Sequence, residues 1–272
     1  MIRLSLIRVL IILYALMAGA YASSADEIEV DLELVLAVDV SLSMDSFEQQ
    51  LQLQGYVDAF RDPGVLRAIE TGLHKKIAVI FVEWGGVEFQ NIKVPWTLID
   101  GEASANKFAE ALGRRRLTAL PLTSISTAVI FSSALFEKSE FKGMRRVIDV
   151  SGDGPNNQGL SVTDARDAVV RQGITINGLP VMLRVGQAPG FFDLEKLDVY
   201  YEDCVIGGPG AFIVPVTEEK SFASAIRRKL IREISGAPAQ LMRAQAVPWK
   251  APPRIDCLIG EKLWNEWLGY QD

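Results

Sequence analysis

The chain has 272 residues, 49% of them hydrophobic and 23% charged, the composition of a globular protein that buries a real core. Its length allows one large domain or a domain with an extension. With 28 Lys+Arg against 34 Asp+Glu the formal charge is −6, which argues against nucleic acid and anionic lipid surfaces as partners.

The first 22 residues stand apart. Arg3 and Arg8 flank the start of an apolar run, Val9–Met17, which is followed by small residues ending in Ala20-Tyr21-Ala22. A basic start, a short apolar core and an A-x-A site are the parts of a secretory signal peptide. The alternative is a membrane anchor, but the run falls short of the roughly 20 residues a span needs. We therefore expect cleavage after Ala22 and a periplasmic or secreted protein with no membrane span. Losing Arg3 and Arg8 and no acid takes the formal charge from −6 to −8.

Residues 23–29 read as a loose N-terminus. Val30–Val40 is a continuous apolar run and is predicted to be a buried strand. Phe47–Phe60 has helical spacing, with Leu53, Tyr56, Val57 and Phe60 on one face. Lys76–Trp84 is β-branched and is a second buried strand. Gly85-Gly86 turns the chain into Val87–Leu98, whose Pro95 suits an edge strand and implies a hairpin at the sheet edge. Ala103–Arg114 and Ser124–Glu137 are predicted helices. Arg145–Val150 is a strand leading into Ser151-Gly152-Asp153-Gly154. Thr163 could cap a helix over Thr163–Gln172 that Gly173 ends. Ile174–Leu183 reads as a strand interrupted at Asn177-Gly178, and Phe191–Tyr201 as a helix. A glycine-rich turn, Ile206–Gly210, precedes a last strand, Ala211–Val216. Glu218–Ile234 is a helix burying Phe222, Ala225, Ile226, Leu230 and Ile234. The Pro-containing stretch 236–272 reads as an extension packed on the domain. Strands alternating with helices predict a three-layer, doubly wound α/β fold. Its mostly parallel sheet would have one antiparallel edge strand and helices on both faces.

In such sheets ligands bind beyond the carboxyl ends of the strands. Three polar groups converge there. Asp39, Ser41 and Ser43 follow the first strand, Thr123 precedes the helix that begins at Ser124, and Asp153 follows the strand ending at Val150. Carboxylate and hydroxyl oxygens are the donors a hard cation prefers. Each alone has an ordinary role, as a helix cap or a turn residue; their order and context make the set informative.

At these residues the chain resembles the von Willebrand factor A-like domains, over about 30–235. The metal-ion-dependent adhesion site of that family combines Asp-x-Ser-x-Ser, a distant Thr and a later Asp-Gly. Here these match Asp39/Ser41/Ser43, Thr123 (with Thr118 as the alternative) and Asp153-Gly154. The runs Gly152–Asn157 and Asp203–Gly210 are similar to an uncharacterised bacterial exported subfamily. The resemblance implies Mg²⁺ (or Mn²⁺) held by Asp39, Ser41, Ser43, Thr123 and Asp153. Hydroxyl ligands leave the cation under-neutralised, and it would then take an acidic side chain of a protein partner.

Other features have plainer readings. Two cysteines in an exported chain, Cys204 and Cys257, are expected to form a disulfide, with two buried thiols as the alternative. His74 reads as a loop residue, and no nucleophile elbow, P-loop or dinucleotide fingerprint is present. Arg227-Arg228-Lys229 reads as a solvated face, and Arg114-Arg115-Arg116 as a basic patch that could meet an acidic partner. Trp249, Trp264 and Trp267 read as packing anchors, and Asn156 and Asn157 as the rim of the metal face. The expected function is binding rather than catalysis. One rival is a metal-assisted hydrolase with Asp149 as the nearest candidate base; another is a structural domain whose metal braces loops.

Overall fold

In a computed structural model of the protein, the described residues are 27–41, 44, 46–113, 122–183, 194–236 and 253–269. The expected leader, Ser43, Thr118, Arg114–Arg116 and Trp249 lie outside them.

Two strands, β2 (Leu32–Asp39) and β3 (Ile77–Trp84), are buried at every position. A strand covered on both faces needs apolar side chains in both directions, which is why these segments read as unbroken runs rather than alternations. Each fully buried Leu, Val, Ile or Phe contributes roughly 1.5–3 kcal/mol. With β4 (Gln90–Ile99), β6 (Arg146–Gly152) and β7 (Thr175–Pro180) they form a five-stranded sheet of order β4-β3-β2-β6-β7. The pairs β2–β3, β2–β6 and β6–β7 are parallel, and β3–β4 is antiparallel. The predicted edge hairpin is therefore present. Its register shifts between the pairs Val79↔Thr97 and Phe81↔Val94, so the irregularity falls at Pro95, which has no N–H for the ladder. A separate parallel pair joins β1 (Ile28–Val30) to β5 (Phe141–Gly143).

Helices α1 (Ser46–Arg61), α2 (Pro63–Glu70), α3 (Glu102–Gly113) and α7 (Phe222–Ser235) cover one face of the sheet. Tyr56, Phe60, Phe108, Phe222 and Leu230 fill that core against Leu34, Leu36 and Phe81. On the other face α4 (Ile125–Phe136), α5 (Val162–Val170) and the short α6 (Leu197–Tyr200) pack Val129, Phe136, Val169 and Tyr200 against Val35, Ile80 and Val150. The sequence reading missed α2. Asp62 caps it, accepting from the Gly64 N–H at 2.7 Å, and Pro63 occupies the first helical position.

Four local expectations change. The N-cap of α5 is Ser161, not Thr163, and the Thr163 hydroxyl pairs with that of Ser161 at 2.8 Å. Asn177-Gly178 does not interrupt β7. The Asn177 side chain is buried and bonded on both ends, and the space where a Gly178 Cβ would point is taken by the Tyr201 ring. Ala211–Val216 is not a continuous strand. It meets β7 and the residue after it through isolated bridges at Ile213 and Val216, with the Val214 and Val216 N–H groups donating to Gly178 O and Pro180 O. Phe191–Tyr201 is helical only over Leu197–Tyr200 among its described residues, and the chain then widens into a π-turn, Tyr201–Val205.

The chain's two cysteines, Cys204 of that π-turn and Cys257, are bonded to each other across 53 residues of sequence. Closing a loop of that length stabilises by about 4 kcal/mol in the chain-entropy limit. The segment beyond Cys257 forms α8 (Ile259–Gly269), where Trp264 and Trp267 stack with ring centroids 5.0 Å apart. Among the described residues no helix is long and apolar enough to cross a membrane.

Candidate functional site

Register places two of the candidate residues together. Asp39 is the last residue of β2 and Gly152 the last of β6, on adjacent parallel strands, so Asp39 and Asp153 leave the sheet side by side at its carboxyl edge. Asp39 is fully buried. Its Oδ1 accepts the Ser41 N–H at 2.7 Å, a tight turn that folds Ser41 back under the strand end. Its Oδ2 accepts no hydrogen bond among the described residues. Burial, and then the charge of Asp153, hold the Asp39 carboxyl well above the ordinary carboxylate range, with Ser41 partly offsetting them.

Thr123 arrives from the opposite side. Ser124 caps α4, its hydroxyl accepting from the Thr127 N–H, and its own N–H reaches Gly85 O at 2.8 Å, which ties the start of α4 to the end of β3. Leu122, just before Thr123, has φ 73°, a left-handed conformation that costs a non-glycine residue about 1 kcal/mol or more. The loop after β6 holds this strained turn. Asn157 Oδ1 accepts the Thr123 N–H at 2.9 Å and the Asn157 N–H donates to Thr123 O at 2.9 Å. Asn156 Oδ1 accepts the Ser126 N–H at 2.9 Å, and Gln158 O accepts from the Ser124 hydroxyl at 2.9 Å. The two asparagines, expected at the rim, thus stitch the Asp153 loop to the Thr123 loop, and Asn156 is fully buried.

Two residues of this site were not singled out from the sequence. A Cβ on Gly152 would lie 2.8 Å from Asp39 Oδ2 and 2.9 Å from the Tyr201 hydroxyl, so only glycine leaves room for both. Tyr201, on the π-turn, brings its phenol to the floor beside Asp39. The phenol is buried with no hydrogen-bond partner among the described residues, and burial, then Asp39, then Asp153, raise its pKa.

Ser41 and Thr123 are buried and Asp153 is half-buried. Asp39, Asp153 and the hydroxyls of Ser41 and Thr123 are all oxygen donors, the type a hard divalent cation prefers over the nitrogen and sulfur donors that select zinc or copper. Among the described residues no three His, Cys, Asp or Glu side chains gather to hold a metal ion, so the candidate set depends on hydroxyl oxygens beside its two acids.

Asp149, the base considered for a hydrolase, is not part of this site. It points to the other face of β6 and ion-pairs with Lys229 at 2.6 Å, both residues being 1% exposed. Lys229 also binds Glu233, whose Oε1 accepts from Asn177 Nδ2 at 3.0 Å. Burial, and then Glu233, raise Asp149 to about 7 despite Lys229. The expected solvated run Arg227-Arg228-Lys229 is accordingly split: the arginines are exposed, and Lys229 turns inward on the apolar stripe of α7.

Residues 29–238 match a family described as "Protein of unknown function (DUF1194)", and the chain belongs to that family. No protein of curated function matches it. Among solved structures it is similar to the pilus adhesin SpaC of Lactobacillus rhamnosus GG (TM-score 0.56, 11% identity, 75% of this chain and 31% of that one). It is also similar to a von Willebrand factor type A protein of Catenulispora acidiphila (0.50, 14%, 76% and 43%). A third is proximal thread matrix protein 1 of the mussel byssus, solved with a zinc-occupied MIDAS motif (0.50, 13%, 74% and 46%). The chain therefore spans under half the length of each of these, and at such identities the likeness shows the fold: a von Willebrand A-type α/β domain.

Proposed function

For a member of this family, we propose that the chain is an exported binding domain. It holds a divalent cation, Mg²⁺ in the cell, through Asp39, Ser41, Ser43, Thr123 and Asp153, and uses it to grip a carboxylate of a protein partner. The observation that carries this reading is Asp39: a fully buried carboxylate with one oxygen unsatisfied, beside a second acid, and with no lysine or arginine paired to it among the described residues. A buried carboxylate without a partner costs several kcal/mol as the anion; it is neutralised by a proton or stabilised by a bound cation, and the second acid beside it favours the cation. The byssus protein with zinc in the corresponding motif supports a divalent ion, and the adhesin supports a partner-binding role.

When bound, the cation supplies an electrophilic site for an external carboxylate oxygen. The chain's own residues do the rest. Ser41 fixes the Asp39 carboxylate through its N–H, Asn157 fixes Thr123, and the hydroxyls donate neutral oxygens that leave positive charge for the partner's acid. A hydrolase would need a base at this edge, and Asp149 is committed to Lys229 on the opposite face.

The partner half is tested by immobilising the protein in Mg²⁺, passing an exported-protein fraction over it and eluting with chelator. A protein that elutes with chelator, and that Asp39→Ala does not retain, supports the reading. Identical retention by wild type and Asp39→Ala contradicts it.

A further inference from the structure

The segment 253–269 lies beyond the residues matched by the family, yet it touches the floor and wall of the candidate site. Its contacts fall on two short stretches. One is Tyr200–Cys204: Cys257 is bonded to Cys204, Arg254 pairs with Asp203 at 2.9 Å and with Glu202 at 2.5 Å, and Cys257 O lies 3.5 Å from the Tyr200 hydroxyl. The other is Pro155-Asn156: Glu261 Oε1 accepts from Asn156 Nδ2 at 2.7 Å, and Gly260 lies so close that any Cβ would collide with the Asn156 carbonyl. Ile255, Cys257 and Ile259 pack on the core beneath.

Those two stretches carry the parts that place the ligands. Tyr201, next to Tyr200, brings its phenol to Asp39 across Gly152. Asn156 uses its N–H and both ends of its side-chain amide. Its N–H donates to the Tyr200 hydroxyl at 3.1 Å, Oδ1 accepts from Ser126, and Nδ2 donates to Leu160 O and to Glu261. Its neighbour Asn157 holds Thr123. Remove the Glu261 acceptor and a buried amide loses a partner at the point where the Asp153 and Thr123 loops are joined.

We infer that residues 253–269 are a working part of the cation site. The Gly260-Glu261 turn clamps the Asp153–Asn157 loop, and the bridge to Cys204 seats Tyr201 against Asp39. This rests on the cation reading above. Mg²⁺ and Mn²⁺ demand near-octahedral oxygens, so donors held in place before binding give the higher affinity. Glu261 is then a positioning residue that never touches the metal.

The test is an electron paramagnetic resonance titration with Mn²⁺ of wild type, Glu261→Ala, Glu261→Gln and Gly260→Val, each also melted in chelator. Outer partners of metal ligands are worth about 10–100-fold in affinity. We expect Glu261→Ala to raise the Mn²⁺ Kd by about tenfold, at the low end of that range, while its metal-free melt stays cooperative. Glu261→Gln keeps a carbonyl acceptor for Asn156 and should restore affinity to within about twofold of wild type, a rescue that a general loss of packing would not give. Gly260→Val should weaken binding at least as much; if it fails to fold, the Glu261 pair still decides. Wild-type affinity in Glu261→Ala, or equal loss in Glu261→Ala and Glu261→Gln, overturns the clamp while the cation site stands. No Mn²⁺ binding by wild type overturns both.

Discussion

Strand β6 presents buried acid chemistry on both of its sides, and the two sides are solved differently. On the α1/α7 side, Asp149 and Glu233 are given an internal cation, Lys229, within ion-pair distance. At the other side's carboxyl edge, Asp39 is buried just as deeply, lies near Asp153, and among the described residues is bonded by Ser41 alone. The first cluster is closed: its lysine lies on the inner face of α7, and Arg145 caps that helix by donating to Glu233 O and Ile234 O, each at 2.8 Å. The second lies at the carboxyl edge of the sheet, with Asp153 half-buried beside it. The proposed cation site rests on this contrast: among the described residues one buried acid has a lysine beside it and the other has none.

The largest expected effect breaks the closed side. Lys229→Met removes the cation and leaves two buried carboxylates, at a cost of about 3–5 kcal/mol. Urea unfolding should show the loss whether or not Mg²⁺ is present; a loss under about 1 kcal/mol would mean that the acids are not ionised around Lys229. A smaller effect separates the sides. Gly152→Ala puts a methyl 2.8 Å from Asp39 Oδ2 and 2.9 Å from the Tyr201 hydroxyl. Overpacking of that kind costs about 1–3 kcal/mol. It should weaken Mn²⁺ binding while leaving the Lys229 cluster intact, and unchanged affinity would show that the floor can shift at no cost to the site.

The smallest effect is in pH. Asp149 is raised from 3.8 to about 7, and Asp39 is raised as well, each chiefly by burial. The folded state therefore binds more protons than the unfolded chain between about pH 4 and 7, and stability in chelator falls as pH rises through that window. Mg²⁺ should flatten the Asp39 share of the slope and leave the Asp149 share. Chelated and Mg²⁺-loaded profiles that run parallel would contradict this.

Much of this was legible in the sequence, and for definite reasons. Strands β2, β3 and β6 are covered on both faces, so their apolar runs are unmistakable, and Pro95 marked the edge strand. Asp39, Ser41, Thr123 and Asp153 stood out through their order and context, since each alone has an ordinary role as a cap or turn residue. Helix α2 left a readable sign, Asp62-Pro63, that was passed over. Lys229 and Glu233 were legible in principle, as polar residues on the stripe of Phe222, Ala225, Ile226 and Leu230, but beside two arginines the lysine looked solvated. Tyr201, Gly152 and Glu261 were not legible. Their placement depends on a π-turn that sets Tyr201 against Gly152 and on a disulfide-tethered segment that sets Glu261 against Asn156, and no local pattern encodes those meetings.

The central claim is tested most directly by melting the protein in excess Mg²⁺ and in chelator, beside Asp39→Ala. An ion that binds only the folded state at about 100 times its Kd adds about 2.7 kcal/mol. The account predicts a clear rise in Tm for wild type that Asp39→Ala abolishes. Superimposable wild-type curves with and without Mg²⁺ would contradict it.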